Sequence, residues 1–178
     1  MNYLDIFGLL HTFTNLLYAL GFFSELIVLI FVIFFIYENS TDLAFYLVGI
    51  VLNGFLNRVL KPIFQDPRPN KPVKFLESEE FPKKIDYTKN SNYYGMPSGH
   101  SQNVAYSLAY LYWTIPETFV IRLLAILFGI TTIFERWWFR NHTLMQLAVG
   151  VLVGTGFAYL TTYIRNEWKK TKLQPLPK

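Results

Sequence analysis

Apolar residues gather in five long runs along this chain, near residues 22–37, 43–60, 101–115, 118–134 and 143–164. Most approach the roughly 20 residues that carry an α-helix across a hydrocarbon core. The pattern predicts an all-α fold, a polytopic membrane helical bundle with five to six transmembrane helices. The count turns on residues 1–20, where Ile6, Phe7, Leu9, Leu10, Phe13, Leu16, Leu17 and Leu20 are broken by Asp5, His11 and Asn15. Such a mixed stretch reads as a sixth span or as a helix lying in the interface. No basic region precedes its apolar residues, which argues against a cleaved signal peptide.

The second and third runs are separated by residues 62–97, which carry Pro62, Pro67, Pro69, Pro72 and Pro82, many lysines and glutamates, and little periodicity. An irregular backbone finds no hydrogen-bond partners in lipid, so this segment is expected to be an extramembrane loop. Loops of this length tend to be lids or mobile segments. Residues 38–42 and 114–117 read as tight turns, and residues 165–178 as a polar, basic, frayed tail. The whole chain, 1–178, is expected to be a single membrane-embedded domain without internal repeats.

Counting crossings has a consequence for the polar residues at the ends of these runs. The run at 43–60 ends at Lys61, the next begins at His100, and the last pair turns around between Arg136 and His142. All three polar clusters are therefore expected on one face of the membrane. The Glu38 turn and the basic tail fall on the other, where Lys169, Lys170 and Lys172 favour the cytoplasm. The long loop also carries lysines, so the charge asymmetry is small.

Composition agrees with the membrane class: 52% of the chain is hydrophobic and only 16% charged, against about 25% charged in an average soluble domain. Cysteine is absent, which excludes disulfides, thiolate catalysis and thiolate metal sites. The net charge of +4 is spread over the loop, the tail and the clusters. It forms no basic stripe with stacking aromatics, so nucleic acid is excluded as a partner.

Polar residues at membrane edges are costly and commonly functional. Lys61 and Arg68 supply a compact charge and a planar fork, both suited to phosphate oxygens. Taken alone, they are accounted for more simply by snorkelling from a helix end. Pro97-Ser98-Gly99-His100 lies where loop becomes helix, with Ser98 as a plausible N-cap and Gly99 permitting close approach to backbone. Helix N-termini bind anions through unpaired N–H groups, and His100 could pass a proton to a departing oxygen. Arg136 and His142 bracket a turn, with Gln146 one helical turn beyond His142 on the same face. A neutral imidazole held at one nitrogen is a workable nucleophile, although Trp137, Trp138 and Phe139 also fit an interfacial aromatic belt. Asn53 and Asn57 read as polar packing between spans, Glu25 as an interfacial carboxylate with a proton relay as the alternative, and His11 as structural. Gly150 and Gly154 read as a close helix contact. Asn39-Ser40-Thr41 matches a glycosylation acceptor in a tight turn.

The ordered set Lys61-x6-Arg68-Pro69, Pro97-Ser98-Gly99-His100 and Arg136-x5-His142 resembles the tripartite motif of the type-2 phosphatidic acid phosphatase and haloperoxidase superfamily. The resemblance covers residues 53–150, and the flanking spans fit that family's six-helix core. It implies that His142 is the nucleophile forming a phosphohistidine and His100 the acid that protonates the leaving group. Lys61, Arg68, Arg136, Ser98 and the Gly99 amide would hold the phosphoryl oxygens. Pre-placed cations and amides are what such a transition state needs. No metal and no cofactor are implied.

Two positions depart from the superfamily pattern, which usually has Ser where this chain has Glu135 and Asp where it has Gln146. A glutamine oxygen accepts the same hydrogen bond from the histidine but carries no charge. The runs Gln65-Asp66-Pro67-Arg68-Pro69, residues 95–102 and His142-Thr143-x-x-Gln146 look like the dolichyldiphosphatase branch, where glutamine is usual. That branch implies a polyisoprenyl diphosphate as substrate and partner in the bilayer, and an endoplasmic reticulum membrane with a lumenal site. Phosphatidate or another lipid phosphate is the nearest alternative, and a non-catalytic lipid-phosphate-binding protein the rival of another class. Glu135 has no role that sequence assigns.

Overall fold

The computed structural model describes residues 3–69, 94–115 and 119–173. The described residues form five helices: α1 Tyr3–Ile36, α2 Ser40–Phe64, α3 Gly99–Thr114, α4 Phe119–Trp138 and α5 Leu144–Leu173. The chain is an all-α membrane bundle. By length and apolarity α2 and α5 can each cross a membrane, and α1 becomes a third span when its two arms are taken together. Those arms, Thr12–Gly21 and Phe23–Ile36, meet at 45°. Residues 3–20 belong to α1, in one helix with the apolar run that follows them. Of α3 and α4, the first has only 16 residues, about 24 Å of helix at 1.5 Å per residue, and carries Gln102 and Asn103. The second places Arg122, Glu135 and Arg136 among its apolar residues.

Apolar side chains point outward and polar ones inward, the arrangement a lipid solvent selects. Val51 is 70% exposed and Leu152 71%, whereas Asn53, Gln102, Ser101 and Gln146 are buried completely. Helix α3 sits at the centre and touches all four others, most extensively α5. That close approach depends on two glycines. A Cβ on Gly154 would lie 2.1 Å from the Gln102 carbonyl oxygen, and one on Gly150 2.7 Å from that of Ser98. The Gly-xxx-Gly pair is therefore a helix contact, as its spacing predicts. Below it, Tyr46, Tyr106 and Tyr110 stack with Val28, Val32 and Leu111 in one buried cluster.

Helix ends differ from the hydropathy boundaries in two places. Pro62 lies inside α2, which runs on to Phe64 and closes with Gln65 in the left-handed region at φ 50°, its N–H bonded to the Lys61 carbonyl. A proline in a last turn loses a single backbone bond, and its fixed φ is already helical, so the loop starts after residue 64 and not at 62. The basic tail is likewise helical to Leu173. It is held by Asp42, whose Oδ1 lies 2.6 Å from Lys169 Nζ and 3.6 Å from Arg165 Nη1. These ion pairs join the start of α2 to the end of α5, so the Glu38 turn and the tail do share a face. Asn39 is the N-cap of α2, accepting from the Asp42 N–H at 3.1 Å. Most of the long loop, residues 70–93, and the turn at 116–118 lie outside the described residues.

Candidate functional site

At the opposite end of the bundle the three polar clusters converge, as the crossing count predicts. Gln146 is the joint between them. Its backbone carbonyl accepts from the Ser98 N–H at 3.0 Å, tying the third cluster to the second. Its side-chain nitrogen donates to Asp66 Oδ2 at 2.7 Å and to the Pro67 carbonyl at 2.8 Å, tying the third to the first. Its side-chain oxygen faces His142 Nδ1 at 3.1 Å. Residues 65–69 and 94–98 are drawn together by the Pro67–Tyr94 bridge and by Gly95 N–H donating to the Asp66 carbonyl at 2.7 Å. Gly95 is glycine of necessity, since a Cβ there would lie 2.3 Å from Gln146 Oε1.

The same amide closes a capping box at the start of α5. Thr143 Oγ1 accepts from the Gln146 N–H at 3.2 Å, and Gln146 Oε1 accepts from the Thr143 N–H at 3.2 Å. Such a Thr-x-x-Gln box satisfies two otherwise orphaned donors. It also locks the glutamine rotamer, so helix start and histidine orientation are set by one side chain.

His142 is 3% exposed. Burial first, then the positive charge of Arg68, pushes its imidazole from the ordinary 6.5 down to about 3, with Lys61 and Arg136 adding and the Gln146 hydrogen bond opposing. The ring is therefore neutral at physiological pH. With Nδ1–H given to Gln146, the lone pair of the ring lies on Nε2.

The cations stand around it. Lys61, in the last turn of α2, and Arg136, in the last turn of α4, are both buried. Arg68 Nη1 donates to the Asn141 carbonyl at 3.4 Å, fastening the first cluster to the loop that bears His142. The previously unexplained Glu135 is completely buried and pairs with Arg136 Nε at 2.8 Å. Gly21 makes the room, since a Cβ on it would overlap the Glu135 side chain. A carboxylate behind the guanidinium fixes the direction of its fork.

Ser98 occupies the N-cap position of α3, yet its side chain makes no capping bond. Its hydroxyl instead receives one from Ser101 Oγ at 3.3 Å. Gly99 opens the helix beside Asn57, whose amide donates to the Pro97 carbonyl at 3.1 Å and to Gln102 Oε1 at 2.8 Å. Gln102 in turn donates to Asn53, and Asn53 to Asn103. The asparagines of α2 thus fasten the Pro-Ser-Gly-His turn, a more specific task than generic polar packing.

This chain of amides ends on Glu25. Asn103 Nδ2 donates to Glu25 Oε1 at 2.7 Å, and Glu25 Oε2 lies 3.4 Å from His100 Nε2. Glu25 therefore stands against His100, a partner that its sequence position alone does not name. Nothing local marks it, because its partners come from a different helix. The His11 side chain lies outside the described residues. Among the described residues, no group of three or more His, Asp and Glu has metal-binding proximity.

A buried neutral imidazole, a second histidine beside a carboxylate, and three fixed cations can bind a phosphate dianion and exchange its substituents. Comparison with known proteins agrees. No curated protein matches the sequence. Among solved structures, the fold is similar to the transmembrane PAP2-type phosphatidylglycerolphosphate phosphatase from Bacillus subtilis, with a TM-score of 0.62 and 17% identity over 94% of this chain and 80% of that one. Residues 42–170 match the PAP2 superfamily, a stretch that holds all three clusters, and the chain belongs to that superfamily.

Proposed function

We propose that this protein is a membrane lipid phosphatase that hydrolyses a polyisoprenyl diphosphate, such as dolichyl diphosphate, to the monophosphate and orthophosphate. The observation that carries the chemistry is the neutral His142, held at Nδ1 and open at Nε2 among Lys61, Arg68 and Arg136. The terminal phosphate binds between these cations and the Ser98-Gly99 turn, while the apolar tail lies in the bilayer beside the bundle. His142 Nε2 attacks phosphorus, and the bond from phosphorus to the bridging oxygen breaks. The leaving oxygen takes a proton from His100, whose Nε2 stands beside the Glu25 carboxylate. Water then attacks the phosphohistidine, His100 accepts its proton, and orthophosphate departs with the original lone pair restored to His142. The cations take the electrostatic part that a metal plays in many phosphatases, so turnover needs no metal.

The choice of diphosphate rests on the dolichyldiphosphatase-like runs around Asp66, Ser98 and Gln146. It carries with it a site on the lumenal face of the endoplasmic reticulum. The structural neighbour, named as a phosphatidylglycerolphosphate phosphatase, favours a lipid phosphomonoester as the second reading. Phosphate release by the purified protein from a polyisoprenyl diphosphate and from phosphatidate, each with and without chelator, tests both. Turnover of phosphatidate alone rejects the isoprenyl assignment, and release from neither rejects the enzyme.

A further inference from the structure

We propose that Asp66 is a positioning residue for His142, acting through the Gln146 amide, so that Asp66, Gln146 and His142 form a relay in place of a carboxylate directly on the histidine. The inference rests on the phosphatase reading and concerns how its nucleophile is held.

The amide has one productive orientation. Its nitrogen faces two acceptors, Asp66 Oδ2 and the Pro67 carbonyl, and its oxygen faces two donors, Thr143 N–H and His142 Nδ1–H. Turned over, the contacts with Asp66, Pro67 and Thr143 would set acceptor against acceptor or donor against donor, and His142 would have to carry its proton on Nε2. Asp66 thereby decides that Gln146 presents oxygen to His142, which fixes the proton on Nδ1 and the lone pair on Nε2. When Nε2 bonds to phosphorus, the ring gains positive charge. A neutral amide alone answers this weakly, whereas an amide polarised by a carboxylate at 2.7 Å answers it more strongly. The charge missing from position 146 is thus present, displaced by one side chain onto the loop after α2.

The fold of this loop does not need the carboxylate. The Asp66 backbone carbonyl, and not its side chain, pairs with Gly95 N–H, so Asp66→Asn removes the charge while retaining an oxygen that accepts from Gln146. Gln146→Asp alone brings a second carboxylate against Asp66. Combined, the two substitutions exchange charge and amide and restore a donor–acceptor pair, now with the carboxylate on the histidine.

The experiment measures phosphate release from polyisoprenyl diphosphate and from phosphatidate for the parent, both single variants and the double variant. Asp66→Asn should lower kcat about 10- to 100-fold, the usual effect of removing an outer partner of a catalytic group, with KM little changed and the melting temperature near that of the parent. The double variant should exceed both singles. The proposal is overturned by a kcat for Asp66→Asn equal to the parent's, by a loss that follows a fall in melting temperature, or by a double variant no better than the poorer single. A parent inactive on both lipids overturns instead the phosphatase reading beneath it.

Discussion

Glu25 Oε2 lies 3.4 Å from His100 Nε2, joining the first helix to the start of the third. Burial first, then the positive charges of Arg136, Arg68 and Lys61, all push the His100 imidazole toward its neutral form. A histidine so placed needs a fixed negative neighbour if it is to hold a proton for a leaving group. Glu25→Gln keeps the shape and an acceptor for Asn103 but removes the charge. Its kcat should fall by on the order of 10-fold, and the alkaline limb of the pH–kcat profile should move to lower pH. An unchanged profile would show that Glu25 serves packing alone.

The two histidines should separate by the step they fail. His142→Ala removes the proposed nucleophile and should abolish both phosphate release and acid-labile labelling of the protein by a phosphate-labelled substrate. His100→Ala should retain labelling but turn over about 100- to 10,000-fold more slowly, the range of a lost general acid or base. Rapid quenching after mixing with labelled substrate distinguishes them. Equal labelling of parent and His142→Ala would place the nucleophile elsewhere.

His142 also makes stability depend on pH. Its native value of about 3 lies below the ordinary 6.5, so between these limits the unfolded chain binds the proton more readily than the native one. Stability contributed by the neutral ring is complete above 6.5 and is lost as pH falls, at about 1.4 kcal/mol per unit. His142→Asn, which retains a hydrogen-bonding group, should flatten that dependence. Melting temperatures in detergent at pH 7 and 4.5 should therefore differ less for the variant than for the parent.

The contact of α3 with α5 leaves no space at Gly154, where a Cβ would meet the Gln102 carbonyl oxygen. Gly154→Ala forces the helices apart and should cost about 1–3 kcal/mol, as overpacking does, read as a lower melting temperature. Gly156, whose Cβ would meet nothing within 4 Å, provides the control, since Gly156→Ala should leave the melting temperature at or above that of the parent.

Apolar runs marked where each helix lies, though not where it ends, because a backbone in lipid must satisfy its hydrogen bonds within the segment. The alternation of crossings then put Lys61, His100 and His142 at one end of the bundle, and the spacing of His142 and Gln146 put them on one helical turn. What hydropathy could not supply was the partner of each polar side chain. Asp66 behind Gln146, Glu25 beside His100 and the space Gly21 leaves for Glu135 all depend on how helices pack. Contacts of that kind join residues 80 positions apart and more, and no local pattern encodes them. Gln146 shows the division most plainly. Its identity and its place after Thr143 were legible as a departure from a familiar motif, but the carboxylate that completes it came from another segment. Only the folded chain, by closing residues 65–69 against 94–98 around the start of α5, decided where the charge would stand.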